Sequence, residues 1–188
     1  SKKVVNQLKT SIKNIIFFKK SFVNGTERAS YGTRFLKKNY KAALLVSCDN
    51  PYIGNSAIKE TLRNYKKIQN DKDYCGSTVH CKNTGDINNI NIAKIILNNK
   101  NDVIYISRSK IPYNNKKSYF FSHHGPVCLK MKNLKDYIRM KNTNLQILED
   151  NEWLKYIENG YKVRSSLIRK FQPEINTKLD LIKYRKKK

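Results

Sequence analysis

Two strand ends carry the residues best suited to chemistry. Ala42 to Ser47 is an almost wholly apolar run that leads through Cys48 to Asp49, with Pro51 two residues on. A carboxylate placed in this way stands at the carboxyl edge of a sheet, where open α/β sheets bind nucleotides and their metal. The plainer reading is an Asp that caps the following loop. Further along, Val103 to Ile106 runs into Ser107-Arg108-Ser109-Lys110-Ile111-Pro112-Tyr113. Pro112 fixes φ and ends that strand, so Ser107 and Arg108 stand where loops usually bind ligands. A cation beside a hydroxyl suits an anionic, hydroxylated substrate; an exposed hairpin arginine is the alternative. His123 and His124 add side chains that titrate near neutral pH. Glu149 and Glu152, three apart, share one face of an expected helix, which a solvated face explains about as well.

The elements that must position these residues alternate between helix and strand. The spacing of Val4, Val5, Leu8 and Ile12 predicts a helix over 2–12, and 14–18 is a short strand candidate. Asn24-Gly25-Thr26-Glu27 is a turn able to cap a helix running to about Lys38. Ala42 to Ser47 reads as a strand covered on both faces, and Asn55-Ser56 caps a helix through Ile68. Strands are expected at 74–81, in a hairpin over 93–107, at 126–131 and at 161–168. Helices are expected at 134–140, at 145–159 with Gly160 as C-cap, and at 177–186. The alternation implies a single α/β domain over 1–188, with a mainly parallel sheet and helices on both faces.

Composition narrows the partners. A chain of 188 residues fits one domain, since domains cluster near ~100 to 150 residues. No apolar run approaches the ~20 residues needed to cross a bilayer, and no secretory signal opens the chain, so it reads as soluble and cytoplasmic. The formal charge of +25 invites a nucleic-acid reading. Distribution argues against it: 31 of the 39 basic residues are Lys, spread over every segment together with abundant Asn, Ile and Tyr. Those residues share codons rich in A and T. Only Lys183 to Lys188 is a basic run, and such tails are usually solvated. The four cysteines show no Cys-x-x-Cys pair and read as reduced, packed thiols.

Taken together, these segments resemble the 3-deoxy-manno-octulosonate cytidylyltransferases, the CMP-KDO synthetases of lipopolysaccharide synthesis. Asn24-Gly25-Thr26-Glu27-Arg28 is similar to that family's Ser-Gly-Thr-Asp-Arg, and Val46 to Ile53 to its strand ending Gly-Asp-Glu-Pro-Leu-Ile. Asn91 with Lys94 resembles its Asn-Val-Val-Lys, Tyr105 to Tyr113 its Tyr-Phe-Ser-Arg-x-x-Ile-Pro-Tyr, and His123-His124-Gly125 its His-Ile-Gly. Glu149 and Glu152 fall on its helix of spaced glutamates, and Ile175-Asn176-Thr177 to Leu181 resembles its Val-Asp-Thr-Pro-Glu-Asp-Leu. The resemblance implies a Rossmann-like, nucleotide-diphospho-sugar transferase-like fold with a β-hairpin insertion, and a homodimer. It implies transfer of CMP from CTP to a 2-keto sugar acid, with Mg²⁺ as cofactor and release of pyrophosphate.

By the same resemblance Asp49 and Arg108 are catalytic, and Asn24, Gly25 and Arg28 lie near the nucleotide. Arg108, His123, Gly125, Glu149 and Glu152 face the sugar, and Asp49 with Asn176 holds the metal. Departures from the pattern include Asn176 in place of a second aspartate, Asn24 for Ser, Asn50 for Glu, Gln146 for Glu and Val127 for Tyr. The family's opening strand and phosphate-wrapping loop have no counterpart before Ser1. On this reading the chain is N-terminally truncated and is expected to show little or no nucleotidyl transfer. Two other readings stay open: a basic nucleic-acid-binding protein, and a cytidylyltransferase for another nonulosonic acid such as a sialic acid.

Overall fold

The computed structural model describes residues 15–113, 119–169 and 173–186, so the helix expected over 2–12 lies outside the described residues. In chain order the elements are α1 (Gly25–Gly32), β1 (Ala42–Leu45), α2 (Asn55–Ile68), β2 (Tyr74–Asn83), β3 (Lys94–Leu97), β4 (Val103–Ser107) and β5 (Phe120–Lys130). They continue with α3 (Met131–Tyr137), α4 (Asn144–Leu148), α5 (Leu154–Glu158), β6 (Lys162–Ile168) and α6 (Lys178–Arg185). The strand candidate at 14–18 is not borne out over 15–18, which carry no strand. None of the described helices is long and apolar enough to cross a membrane.

Six strands form one sheet in the order β4-β3-β5-β2-β6, with β1 also on β5. The α/β architecture and the hairpin are as expected, but the described strands do not pair mainly in parallel. β2 and β6 are parallel, whereas β1, β2 and β3 all run antiparallel to β5, and β3 to β4. The reason is β5, an 11-residue strand. It gives one edge to β2 and divides the other between β1, at residues 127–130, and β3, at Ser122. Alternating helix and strand predicts parallel crossovers, yet one returning strand at the centre reverses every pair it makes.

Helices cover both faces. α2 buries Ala57, Thr61, Asn64, Tyr65 and Ile68, a stripe at helical spacing, and Ala57 packs with Val79, Cys81 and Ile168. The opposite face carries the larger core, where Ile95, Ile106, Val127 and Leu129 meet Leu134, Tyr137, Trp153 and Tyr156. Full burial of a side chain such as Leu129 or Leu134 contributes roughly 1.5–3 kcal/mol. Three cysteines, 75, 81 and 128, are packed thiols in this interior, while Cys48 is exposed.

The hairpin is fixed at its turn. Asn101 takes the left-handed conformation (φ 62°), its carbonyl accepts from the Ser165 amide at 2.8 Å, and Asp102 accepts from Arg164 Nε at 2.6 Å and from the Tyr74 hydroxyl at 2.9 Å. β4 therefore leaves a pinned turn and delivers Ser107 and Arg108 to a set place.

β2 lies so close to β5 at Gly76 that a Cβ there would come 2.4 Å from the Cys128 carbonyl oxygen and 2.8 Å from Leu129 Cδ2. Gly76→Ala is expected to cost about 1–3 kcal/mol through strand displacement. A thermal melt should show this as a drop of several degrees. An unchanged Tm would mean that the two strands yield freely.

Candidate functional site

A cleft of about 740 Å³ opens where the carboxyl end of β1, the start of α1, the loop before β3 and the segment leading into α6 converge. Seven of the residues expected to act line it: Gly25, Asp49, Arg108, His123, Gly125, Glu152 and Asn176. The other three lie elsewhere. Asn24 Oδ1 caps α1 by accepting from the Glu27 amide at 2.8 Å, while its Nδ2 donates to the Tyr137 hydroxyl at 3.0 Å. Arg28 is exposed, its guanidinium over the Phe22 ring. Glu149 stands behind the cleft wall.

The two glutamates expected on one helical face are separated by a break. In place of one helix over 145–159 there are two short ones, and between them Asp150 takes a positive φ of 46°. The chain thereby sends Glu149 to β4 and Glu152 to α1. Glu149 accepts from the Tyr105 hydroxyl at 2.7 Å, the Ser107 hydroxyl at 2.7 Å and the Arg108 amide at 3.2 Å. Burial works against its charge, but these donors outweigh burial and hold its carboxyl below the ordinary range. Glu152 accepts from the Thr26 amide at 2.7 Å, at the first turn of α1. Burial raises its pKa.

At one end of the cleft, oxygen ligands gather. The Asp49 carbonyl accepts from the Ile175 amide at 2.7 Å, which brings Glu174 and Asn176 beside Asp49. Asp49 Oδ1 is buried with no hydrogen-bond partner, although such atoms are almost always satisfied. Glu174, which the sequence did not single out, lines the same end. Burial and then the Asp49 charge push its pKa up. An unpaired carboxylate oxygen, a second carboxylate and an amide suit a hard divalent cation such as Mg²⁺. Asp180 and Lys183, also missed, complete this wall; Asp180 is taken up in the cap of α6, accepting from the Thr177 amide at 2.8 Å and hydroxyl at 2.7 Å.

The same cleft carries a cation and an imidazole, and the Arg108 charge reaches Glu174. Arg108 donates through Nη1 to the Ile90 carbonyl at 3.2 Å, and its Nη2 lies 3.9 Å from exposed Asp150. His123 lies in β5 across from His80, with its Nε2 3.0 Å from the Thr78 hydroxyl. The Thr78 proton already serves the His124 carbonyl at 3.0 Å, which assigns the His123 proton to Nε2 and leaves Nδ1 as an acceptor. Burial, then neighbouring His124 and His80, depress His123 to about 3; burial depresses His80 and His124 to about 4. The His123 ring in the cleft wall is therefore a neutral hydrogen-bonding group at neutral pH.

Known proteins share this arrangement of elements. The family model described as cytidylyltransferase matches residues 1–169. The chain is 33% identical over 157 residues to the mitochondrial 3-deoxy-manno-octulosonate cytidylyltransferase of Arabidopsis thaliana, covering 80% of this chain and 53% of that protein. It is 26% identical over 180 residues to the 3-deoxy-manno-octulosonate cytidylyltransferase of Parabacteroides distasonis, covering 85% and 68%. The chain thus spans about half the length of the first relative and about two thirds of the second. Its fold is shared with the solved structure of CMP:2-keto-3-deoxy-manno-octonic acid synthetase complexed with CTP, at a TM-score of 0.76 and 20% identity, over 87% of this chain and 67% of that one. With the family's pattern running through nearly all of the chain and its overall fold shared, the protein belongs to the cytidylyltransferase family.

Proposed function

We propose that this chain carries the sugar-acid and metal side of a cytidylyl transfer from CTP to 3-deoxy-manno-octulosonate, releasing pyrophosphate. The observation that carries the reading is one cleft that brings the Asp49, Glu174 and Asn176 oxygens together with Arg108 and neutral His123. Asp49 and Asn176 would hold Mg²⁺, which supplies charge neutralisation for phosphate oxygens when bound. Arg108 meets the sugar carboxylate as a planar donor fork, and His123 accepts from a sugar hydroxyl through Nδ1. Gly25 and Gly125 leave room beside these groups: among the described residues a Cβ at Gly25 would meet Glu152 Oε2 at 4.0 Å, and one at Gly125 would meet nothing within 4 Å. Glu149 serves the site from behind by fixing Ser107 and the Arg108 backbone. A homodimer belongs to the same reading, with edge strand β4 exposing Ile104 (52%) as one contact.

The test titrates 3-deoxy-manno-octulosonate and a sialic acid separately into the protein by calorimetry, and follows pyrophosphate release with CTP and Mg²⁺ added. Saturable binding of the octulosonate in preference to the sialic acid is expected. Pyrophosphate release then shows whether binding is followed by nucleotidyl transfer. Absence of both binding and release would sink the reading. Affinity for nucleic acid that falls steeply with salt would favour the basic-surface alternative instead.

A further inference from the structure

Lys94 is wholly buried, at 0% exposure, whereas lysine is almost never fully buried unless paired. Among the described residues no carboxylate lies at ion-pair distance from it. Its ammonium donates instead to two backbone carbonyls, that of Asn89 at 2.7 Å and that of Arg108 at 2.6 Å. These carbonyls belong to two neighbouring segments of the cleft wall: Asn89, Asn91 and Ile92 line it from the loop before β3, and Arg108 lines it from the end of β4. Lys94 reaches both because it pairs with Ser107 on β4 and with Ser122 on β5, the point where three strands meet.

The same two segments are joined a second time by Arg108 Nη1 and the Ile90 carbonyl, at 3.2 Å. Glu149 meanwhile holds the Arg108 amide from the other side. The Arg108 peptide is thus gripped at its N–H by a carboxylate and at its C=O by a buried ammonium. Charge-assisted bonds of this kind are the stronger ones, and a desolvated ammonium has no other use for its protons. Burial lowers the pKa of Lys94, with the charge of Asp86 opposing it.

We propose that Lys94 is a positioning residue for ligand recognition: its ammonium ties the Asn89 loop to the Arg108 carbonyl and so sets the direction of the Arg108 guanidinium across the cleft. The part played by the ligand rests on the sugar-acid reading above; the tie itself does not.

The experiment uses Lys94→Met, which keeps the length of the side chain and removes its protons, and Lys94→Gln, which keeps two uncharged N–H donors on a shorter side chain. Amide hydrogen exchange is read at Ile92, whose N–H donates to the Asn89 carbonyl at 3.2 Å, and at Arg108, against Val79 and Leu129 in the core. The expected result is exchange at least tenfold faster at Ile92 and Arg108 in both variants, with Val79 and Leu129 unchanged. A purely structural lysine would loosen all four together, and unchanged exchange at Ile92 and Arg108 would equally overturn the proposal. In the second arm, 3-deoxy-manno-octulosonate is titrated into wild type, K94M, R108A and the double variant. K94M is expected to weaken binding about tenfold where Arg108 is present and not at all where it is absent. Equal loss in both backgrounds would contradict action through Arg108. If the wild type itself binds no octulosonate, the sugar-acid reading fails, and the exchange arm still decides on Lys94. Should K94M not fold, K94Q carries both arms.

Discussion

Arg108→Ala is expected to lower affinity for the octulosonate about 10- to 100-fold while leaving the fold intact. A hydrogen bond to a charged group is worth about 1.5–3 kcal/mol, and each ~1.4 kcal/mol is a factor of ten in affinity. The guanidinium has five donors, of which the structure commits Nη1 to the Ile90 carbonyl, with only a long approach of Nη2 to Asp150. The rest are available to a carboxylate. Its side chain is 43% exposed, so its removal should change stability by no more than about 0.5 kcal/mol. Arg108→Lys should recover only part of the affinity, because a point charge replaces a planar fork. Calorimetric titration of the three proteins gives both numbers, and full recovery by lysine would argue against a bidentate contact.

The second large effect is loss of stability in acid. His80 and His124 are 2% and 3% exposed, and burial depresses both to about 4. Unfolded histidine titrates near ~6.5, so between that value and about 4 the unfolded chain binds protons that the folded protein refuses. Stability is therefore complete above the unfolded pKa and falls steadily as pH drops through this window. Each ring contributes on the order of 3 kcal/mol to that loss, against a total stability of about 5–15 kcal/mol. The two rings have fixed hydrogen bonds, His80 Nδ1 with Ser165 Oγ at 2.7 Å and His124 Nε2 with Ser122 Oγ at 3.0 Å, and the latter continues to Cys81 Sγ at 3.2 Å. The denaturant midpoint should fall steeply from pH 6.5 to 4.5. A midpoint independent of pH over that range would show that these rings accept a proton in the folded state.

What the sequence revealed depends on whether the cause was local. Asp49, Arg108, His123 and Gly125 were legible because each follows or lies within an apolar run whose end is marked by a proline or glycine, and all four line the cleft. Asn24 was legible as a cap, though capping keeps its Oδ1 and Nδ2 occupied. Glu149 and Glu152 were placed on one helical face because their spacing fits a helix; the positive φ at Asp150, which no glycine announces, parts them. Glu174 gave no local signal, since its place beside Asp49 is made by a bond between residues 175 and 49. Lys94 stood out only through its resemblance with Asn91 to the family's pattern, and its burial was hidden by its own type, one of 31 lysines that otherwise suit solvent. The sheet pairing was hidden too, because a strand's direction depends on the partner it returns to.

One of two arginines meets the ligand. Arg28 and Arg108 both follow motifs that resemble the family's, yet only Arg108 lines the cleft, while Arg28 lies over the Phe22 ring on the surface. Titrating 3-deoxy-manno-octulosonate into wild type, R28A and R108A under one set of conditions tests this most directly. The predicted result is an unchanged affinity for R28A and a loss of at least tenfold for R108A. An R108A protein that binds as tightly as wild type would contradict the account.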